Sequence, residues 1–296
     1  MEWNSPRITS LVERALAEDH VLGDMTTHLT VEPEALGQAE IIAKQDCVLA
    51  GLGLVPRVFA CFAEMAAHAG EQRPMAPVVM SHRPEIFDGV RLQAKQTLAV
   101  LSGPAQTLLS CERVILNILQ RMCGIATLTR KYVEAVAGTG AHILDTRKTA
   151  PGVRVLDKYA VTCGGGRNHR SDLSDAILIK NNHIRLAGGV RAALERAQQH
   201  RRPQQWIEIE VRTAEELQQA LAGGAERLLL DNMTPAQVRE AMAAVGGRAP
   251  VEISGGVRLE SVRAYAETGA EFISVGALTH SAPAIDLAMR IIPIGG

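Results

Sequence analysis

Between Asp145 and Arg185 the sequence reads DTRKTAPGVRVLDKYAVTCGGGRNHRSDLSDAILIKNNHIR, with eight Lys or Arg against four Asp in a chain of net charge −1. Such a local excess of positive charge draws anionic ligands. Two apolar runs in it stop abruptly in charge, HILD before TRK and AILIK before NNH. Arg147, Lys148, His169, Arg170 and Lys180 are the residues with chemistry to offer there. Arg presents a planar fork to carboxylate or phosphate, and Lys a compact point charge. Singly, each is an ordinary loop charge in water; gathered at neighbouring strand ends, they suit a ligand with more than one anionic group.

A second, acidic set is Glu208, Glu210 and Asp231. Glu208 and Glu210 are two apart, so both face one side of a strand. Oxygen ligands from adjacent strand tips suit Mg²⁺ held jointly with a substrate phosphate. Alternatively, the two glutamates neutralise the basic set with no metal, and the spacing leaves both open. A third set is made of small residues, Ser254-Gly255-Gly256 after VEI and Val275-Gly276-Ala277 after FIS. Small residues at the last two strand ends of a barrel let backbone N–H groups approach a phosphate. Gly164–Gly166, beside Asn168-His169-Arg170, allows a similarly close approach. The chain has no GxGxxG, Walker P-loop, HExxH or GxSxG, which counts against nucleotide-fold and hydrolase classes.

The elements that must hold these residues change character along the chain. Up to about residue 101 the pattern is mixed: a helix over 5–18, a strand over 38–49, a helix over 53–69, a loop with a short strand over 72–90, and a strand over 90–101. Over 104–137 the periodicity predicts a long helix, a break near Gly124 and a second helix, a hinge between domains. Arg113 lies there and reads, from spacing alone, as a solvated helix charge. After Gly140, strands 142–145, 176–180, 206–211, 227–231, 250–254 and 271–276 alternate with helices 152–161, 187–199, 213–222, 234–245 and 258–268. Thr213 and Thr234 are N-caps, with Glu216 completing a capping-box pattern. A βα series of this kind favours parallel strands in a barrel or doubly wound sheet. Its strand ends carry Asp145, Lys180, Glu210, Asp231, Ser254 and Gly276, as an active site at the C-terminal face of a barrel requires.

Composition narrows the classes. Hydrophobic content is 47% and aromatic content 3%, so aliphatic residues build the core and stacking platforms for single-stranded nucleic acid are scarce. The near-neutral charge gives no general attraction to nucleic acid or an anionic membrane. No apolar run reaches the ~18 residues of a spanning helix, and the polar start lacks a signal-peptide pattern. Five scattered cysteines without CxxC argue against a disulfide framework or zinc site and for the reducing cytoplasm.

The motifs DTRKTAPGVR, KYAV-CGGG-NHR, ILIKNNH, IEIEV, LLLDN, ISGGV and ISVGALTHS, with ER-ILN-LQR-CGIAT at 112–127 and EDH-LGD-TT at 18–27, closely resemble the quinolinate phosphoribosyltransferase family over nearly the whole chain. One departure is Ser171-Asp172 after NHR, where the family usually has an apolar residue then Gly; it alters the loop near the dicarboxylate. The resemblance implies an α/β fold of the type II phosphoribosyltransferase kind. An N-terminal α/β sandwich-like domain would cover 1–115, with the tail 283–296 packing back on it, and an incomplete, irregular α/β barrel 116–282. It implies a homodimer or higher homo-oligomer with shared active sites, the substrates quinolinate and phosphoribosyl pyrophosphate, and Mg²⁺. It assigns Arg113 to the partner's site, Arg147, His169, Arg170 and Lys180 to the pyridine dicarboxylate, and Lys148 to the ground between substrate and pyrophosphate. Glu210 and Asp231 fall to the Mg²⁺–ribose–pyrophosphate side, and Lys148, Glu210 and Asp231 form the catalytic set. Ser254, Gly255, Gly256 and Gly276 would cradle the 5-phosphate, with His280 near the phosphates. The implied reaction is phosphoribosyl transfer with decarboxylation to nicotinate mononucleotide, for NAD synthesis. A sister group linked to molybdenum transport generally lacks the complete NHR and IK-NH pattern and ranks second. A non-catalytic anion-binding barrel is a third reading, opposed by the intact Lys148, Glu210 and Asp231.

Overall fold

The structure, a computed structural model, describes residues 1–70 and 76–294. In chain order the elements are α1 (Pro6–Glu18), a 3-10 turn (Val21–Gly23), α2 (Met25–Thr30), β1 (Leu36–Ala43), β2 (Cys47–Val48), α3 (Leu54–His68), β3 (Val79–Ser81), β4 (Arg91–Leu92), β5 (Thr97–Pro104), α4 (Ala105–Ala135) and β6 (His142–Leu144). There follow α5 (Arg154–Cys163), β7 (Ile177–Ile179), α6 (Asn181–Ala187), α7 (Val190–His200), β8 (Ile207–Val211), α8 (Ala214–Ala222), β9 (Arg227–Asp231) and α9 (Pro235–Val245). The chain ends with β10 (Val251–Ser254), α10 (Leu259–Ala266), β11 (Phe272–Ser274), α11 (Ala277–His280) and β12 (Leu287–Pro293). They divide into two compact units, Met1–Leu128 with Pro151–Gly164 and Ala282–Gly296, and Thr129–Ala150 with Gly165–Ser281.

The first unit is built on a four-stranded sheet in the order β12-β1-β5-β3, with antiparallel ladders and a two-stranded β2-β4 ribbon. Helix α1 starts cleanly because Pro6 sits in its first turn, and it buries Ile8, Leu11, Val12 and Leu16, one stripe at helical spacing. The strands expected over 38–49 and 90–101 each break in two. Lys95 adopts φ 71° between β4 and β5, which turns the chain there. In the segment 72–90, β3 is the short strand, while positions 72–75 lie outside the described residues.

The break expected near Gly124 does not occur: α4 runs unbroken for 31 residues. Gly124 is small for another reason, since a Cβ there would come within 2.1 Å of the Pro283 carbonyl oxygen. Within this unit Arg121 of α4 donates to both carboxylate oxygens of fully buried Asp157 of α5, at 2.8 and 2.7 Å. Asp88 accepts the Leu52 N–H at 3.0 Å and the Tyr159 hydroxyl at 2.7 Å. The helix expected over 152–161 is present as α5 but belongs to this first unit rather than to the parallel sheet.

The second unit holds six parallel strands in the order β6-β11-β10-β9-β8-β7. Their interiors are largely Ile, Leu and Val, as strands covered on both faces require, with Glu208 and Glu252 as buried exceptions. The outer edge of β6 is bridged by Arg167, which exchanges hydrogen bonds with Ile143 and Asp145 at 2.8 and 3.1 Å. Two residues on, His169 reaches Glu208 of β8 and Glu252 of β10. The sheet therefore curls until the edge of β6 faces strands on its far side, and β6 and β7 share no ladder among the described residues: an incomplete barrel. The helix expected over 187–199 is α7, which starts only at Val190 because Gly188 and Gly189 both take positive φ, 90° and 127°, and a further short helix, α6, precedes them. Thr213 and Thr234 cap α8 and α9 as expected. At the first of these the Glu216 carboxylate accepts the Arg212 N–H at 2.7 Å rather than that of Thr213. No described helix is long and apolar enough to cross a membrane.

Candidate active site

Twelve of the thirteen sequence-designated residues fall in the second unit, at or just beyond the C-terminal ends of its strands; Arg113 lies in the first unit, exposed on α4. Asp145, fully buried at the tip of β6, accepts the His169 N–H at 2.9 Å and so ties the NHR segment to the strand end. Arg170 is buried and donates from Nη1 to the Ala176 carbonyl at 3.0 Å. Burial, then the charge of Arg147, holds its pKa below the ordinary arginine value, while Glu208, Asp172 and Asp175 oppose that shift. Two guanidinium groups are thus held within each other's field. The Nε of Arg147 is buried without a hydrogen-bond partner. Such a pair is unfavourable alone and is relieved by an anion. Lys180, the exposed residue that caps α6 at the end of β7, adds a third cation to this unit.

The departure after NHR forms an exposed turn, held in part by Gln205, whose amide donates to the Ser174 carbonyl at 2.7 Å. Asp172 accepts from the Ser174 N–H and hydroxyl at 2.8 and 2.6 Å, and Asp175 accepts the Ser171 N–H at 2.9 Å. Those hydrogen bonds from Ser174 hold the Asp172 carboxyl below its usual range.

The acidic side is bridged by Arg212. Glu210 is buried at the end of β8, and its Oε1 has no aligned hydrogen bond. Arg212 Nη2 lies 2.8 Å from that oxygen and 3.0 Å from Asp231 Oδ2 at the end of β9. Arg212 Nε and the Asn232 amide also donate to Asp231 Oδ2, at 3.1 and 2.9 Å. A cationic group already bridges these two carboxylates, so their oxygens fit a divalent cation, and an all-oxygen donor set suits Mg²⁺. Glu208, the other acidic candidate, points instead to His169 at 3.0 Å.

The small residues make room. At Gly255 φ is 97° and a Cβ would fall 2.3 Å from Asn232 Oδ1, so only glycine fits. Gly276 lies under Lys148 and His280, whose side-chain atoms would stand 3.1 and 3.2 Å from a Cβ there. The Lys148 carbonyl accepts the Thr279 hydroxyl at 2.9 Å, which fixes the β6 loop beside α11. Lys148, Gly276 and His280 are therefore brought together, and Ser254 and Gly255 adjoin Asp231 through the Asn232 N–H, which donates to the Ser254 carbonyl at 2.9 Å.

Arg212, Asn232 and Glu252 are members of this constellation that the sequence reading did not single out. Glu252 carried a signal, a lone carboxylate inside the apolar strand VEIS. Asn232 also carried one, since it follows the strand end LLLD. Arg212 carried none, being one more charge at a helix start.

The chain matches the family models "Quinolinate phosphoribosyl transferase, N-terminal domain" over residues 24–123 and "Quinolinate phosphoribosyl transferase, C-terminal domain" over residues 125–290. It is 40% identical over 294 residues to the nicotinate-nucleotide pyrophosphorylase (carboxylating) of Mycobacterium leprae (strain TN), covering 98% of each chain. It is 37% identical over 303 residues to quinolinate phosphoribosyltransferase (decarboxylating) 1 of Nicotiana glauca, covering 96% of this chain and 82% of that one. The crystal structure of NadC from Streptococcus pyogenes superimposes with a TM-score of 0.89 at 34% identity, covering 97% of both chains.

Proposed function

The chain belongs to the quinolinate phosphoribosyltransferase family, and on that footing we propose that it transfers the phosphoribosyl group of phosphoribosyl pyrophosphate to quinolinate with decarboxylation. The products are nicotinate mononucleotide, pyrophosphate and CO₂, in de novo NAD biosynthesis. The observation that carries this reading is the Arg147–Arg170 pair, one partly exposed and the other buried, mutually repelling and with one buried donor, Arg147 Nε, unused. Arg147, Arg170 and Lys180, with His169 behind them, take the two carboxylates of the pyridine. Lys148 reaches between substrate and pyrophosphate. Ser254, Gly255, Gly256 and Gly276 receive the 5-phosphate, with His280 near the phosphates. Glu210 and Asp231 would hold Mg²⁺, which when bound would supply positive charge against the departing pyrophosphate.

The chemistry asks little proton transfer of the protein. The ring nitrogen of quinolinate has a free lone pair, so no general base is required. As that nitrogen bonds to C1 of the ribose, the C1–O bond to pyrophosphate breaks with oxocarbenium character, which Glu210 and Asp231 stabilise electrostatically. When the carboxylate on the carbon next to the new pyridinium nitrogen leaves as CO₂, the electron pair stays on that ring carbon, stabilised by the adjacent positive nitrogen, and the carbon takes up a proton. Oriented binding of a doubly charged substrate in a partly buried site is the protein's main contribution.

Arg113 acts in the partner's site of a homodimer or larger assembly. The sandwich-like domain 1–115 with the tail 283–296 then supports the partner, and 116–282 is the catalytic domain. A cytoplasmic location suits five free cysteines, four of them buried. The molybdenum-transport-linked homologue and the non-catalytic barrel are not favoured, since the curated relatives carry the names of quinolinate enzymes.

Turnover tests the reading. Quinolinate, phosphoribosyl pyrophosphate and Mg²⁺ together should yield pyrophosphate and CO₂ in equal amounts, with none when any one is withheld. Pyrophosphate without CO₂, or neither, overturns it. For Arg113, refolding an equal mixture of Arg113→Ala and Lys180→Ala, each inactive alone, should restore roughly a quarter of wild-type activity by random pairing. A mixture as inactive as its parents places Arg113 outside the partner's site.

A further inference from the structure

Inside the curled sheet two glutamates with no role in the family reading, Glu208 and Glu252, meet His169. His169 Nε2 is 3.0 Å from Glu208 Oε2 and 3.4 Å from Glu252 Oε2. All three ligand-type atoms lie within 4.8 Å of one another, and the glutamates are 1% and 2% exposed. The other ring nitrogen, Nδ1, accepts the Arg170 N–H at 2.7 Å. Both nitrogens of His169 are therefore engaged within the protein. The Arg170 contact leaves Nε2 as the proton-bearing nitrogen toward the carboxylates. Burial opposes a second proton, but the hydrogen bonds and charges of Glu208 and Glu252 push the ring's pKa up to about 9, so the ring becomes doubly protonated when that contact loosens.

Negative charge lies between basic groups in this interior. At the far end of the strands, Arg227 is held between the rings of Trp206 and Phe272, 4.7 and 4.6 Å from their centroids. Its charge acts on Glu208, and the charge of Glu208 acts in turn on Arg170. The sequence of groups is Arg227, then Glu208 and Glu252, then His169, then Arg170 beside Arg147.

As a fold-stabilising arrangement this is poor. Two buried carboxylates share one imidazole, and Glu252 Oε2 has no aligned hydrogen bond. A buried charge left so incompletely paired is destabilising, and a neutral side chain of the same shape would serve the fold better. What the glutamates can supply is orientation and field. They hold the His169 ring, which holds the Arg170 backbone, and they set negative charge behind a pair of repelling guanidinium groups.

We infer that Glu208 and Glu252 are positioning residues for the dicarboxylate site, acting through His169 to hold Arg170 and Arg147 in place for the ligand. This rests on the quinolinate reading above. The prediction for Glu252→Gln and Glu208→Gln is a KM for quinolinate raised at least about tenfold, with kcat and the KM for phosphoribosyl pyrophosphate within about twofold. Binding of benzene-1,2-dicarboxylate, followed calorimetrically without turnover, should weaken in parallel. Glu252→Gln, which loses no aligned hydrogen bond, should melt no lower than wild type, so it carries the test even if Glu208→Gln folds poorly. A Glu252→Gln enzyme with unchanged quinolinate KM and unchanged dicarboxylate affinity overturns the inference. So does one that melts lower and loses affinity for both substrates alike, which marks a structural role. Should wild type neither turn over quinolinate nor bind the dicarboxylate probe, the functional reading itself falls.

Discussion

Buried charge is handled in opposite ways in the two units. In the first, Asp157 is fully enclosed and receives two well-aligned bonds from Arg121, and Asp88 is satisfied by Leu52 and Tyr159. In the second, Arg147 Nε, Glu210 Oε1 and Glu252 Oε2 are buried and lack aligned partners. Among the described residues the first unit has one such atom, Arg57 Nε, on a guanidinium that pairs with Glu64 through both terminal nitrogens. Glu210 and Glu252 likewise keep a cation 2.8 and 3.4 Å away, which leaves Arg147 as the clearest open group. Both units contain arginines and carboxylates, so composition does not separate them. What separates them is completion: a charge satisfied by its own chain is part of the scaffold, and one left unsatisfied awaits a ligand.

The contrast can be broken from either side. The largest effect expected is from Asp157→Ala, which strands Arg121. Chemical denaturation should show a loss of about 3 kcal/mol, the lower end for a broken buried pair because Arg121 is partly exposed. The quinolinate KM of the folded enzyme should stay within about twofold. A small stability change with a large KM change would move Asp157 to the functional side. In the second unit, Lys180→Ala should lower kcat/KM for quinolinate about 100-fold, the loss of one charged contact of ~3 kcal/mol, and leave the melting temperature unaltered. A lowered melting temperature would make Lys180 part of the scaffold.

The smallest effect sharpens the comparison through pH. Asp24 caps α2, accepting the Thr27 N–H at 3.1 Å and the Ser110 hydroxyl at 2.9 Å. Burial raises its pKa, but the bonds from Thr27 and Ser110 outweigh it, and the net shift is downward. A lowered folded-state pKa gives stability that is present above the unfolded value and is lost as pH falls through the folded one. Asp24→Ala should therefore lose about 1 kcal/mol at neutral pH, with the difference from wild type vanishing in acid. A difference that persists at low pH would assign the effect to packing.

Much of this was legible in the sequence, and the exceptions have physical causes. The βα series and its charged strand ends show plainly because each strand is a short apolar run closed by a polar residue. Gly124 reads as a helix break because its local character is weak, whereas its reason is the close approach of Pro283, a tertiary fact. Strand β12 escapes because its partner, β1, comes from the opposite end of the chain. The helix expected over 187–199 runs through Gly188-Gly189, although two adjacent glycines mark the boundary between α6 and α7. The direction of Glu208 toward His169, rather than toward a metal beside Glu210, follows from how the sheet curls and is written in no local pattern.

The central claim is that the second unit keeps positive charge buried and unsatisfied for a dianion, at some expense to its stability. Thermal melts of wild type and Arg147→Ala, each with and without millimolar quinolinate, test it most directly. Wild type should melt higher with ligand, as mass action requires when only the folded form binds. Arg147→Ala should melt at or above wild type without ligand, its repulsion with Arg170 relieved, and should show no ligand shift. A variant that melts below wild type when unliganded and keeps the full quinolinate shift would contradict the account.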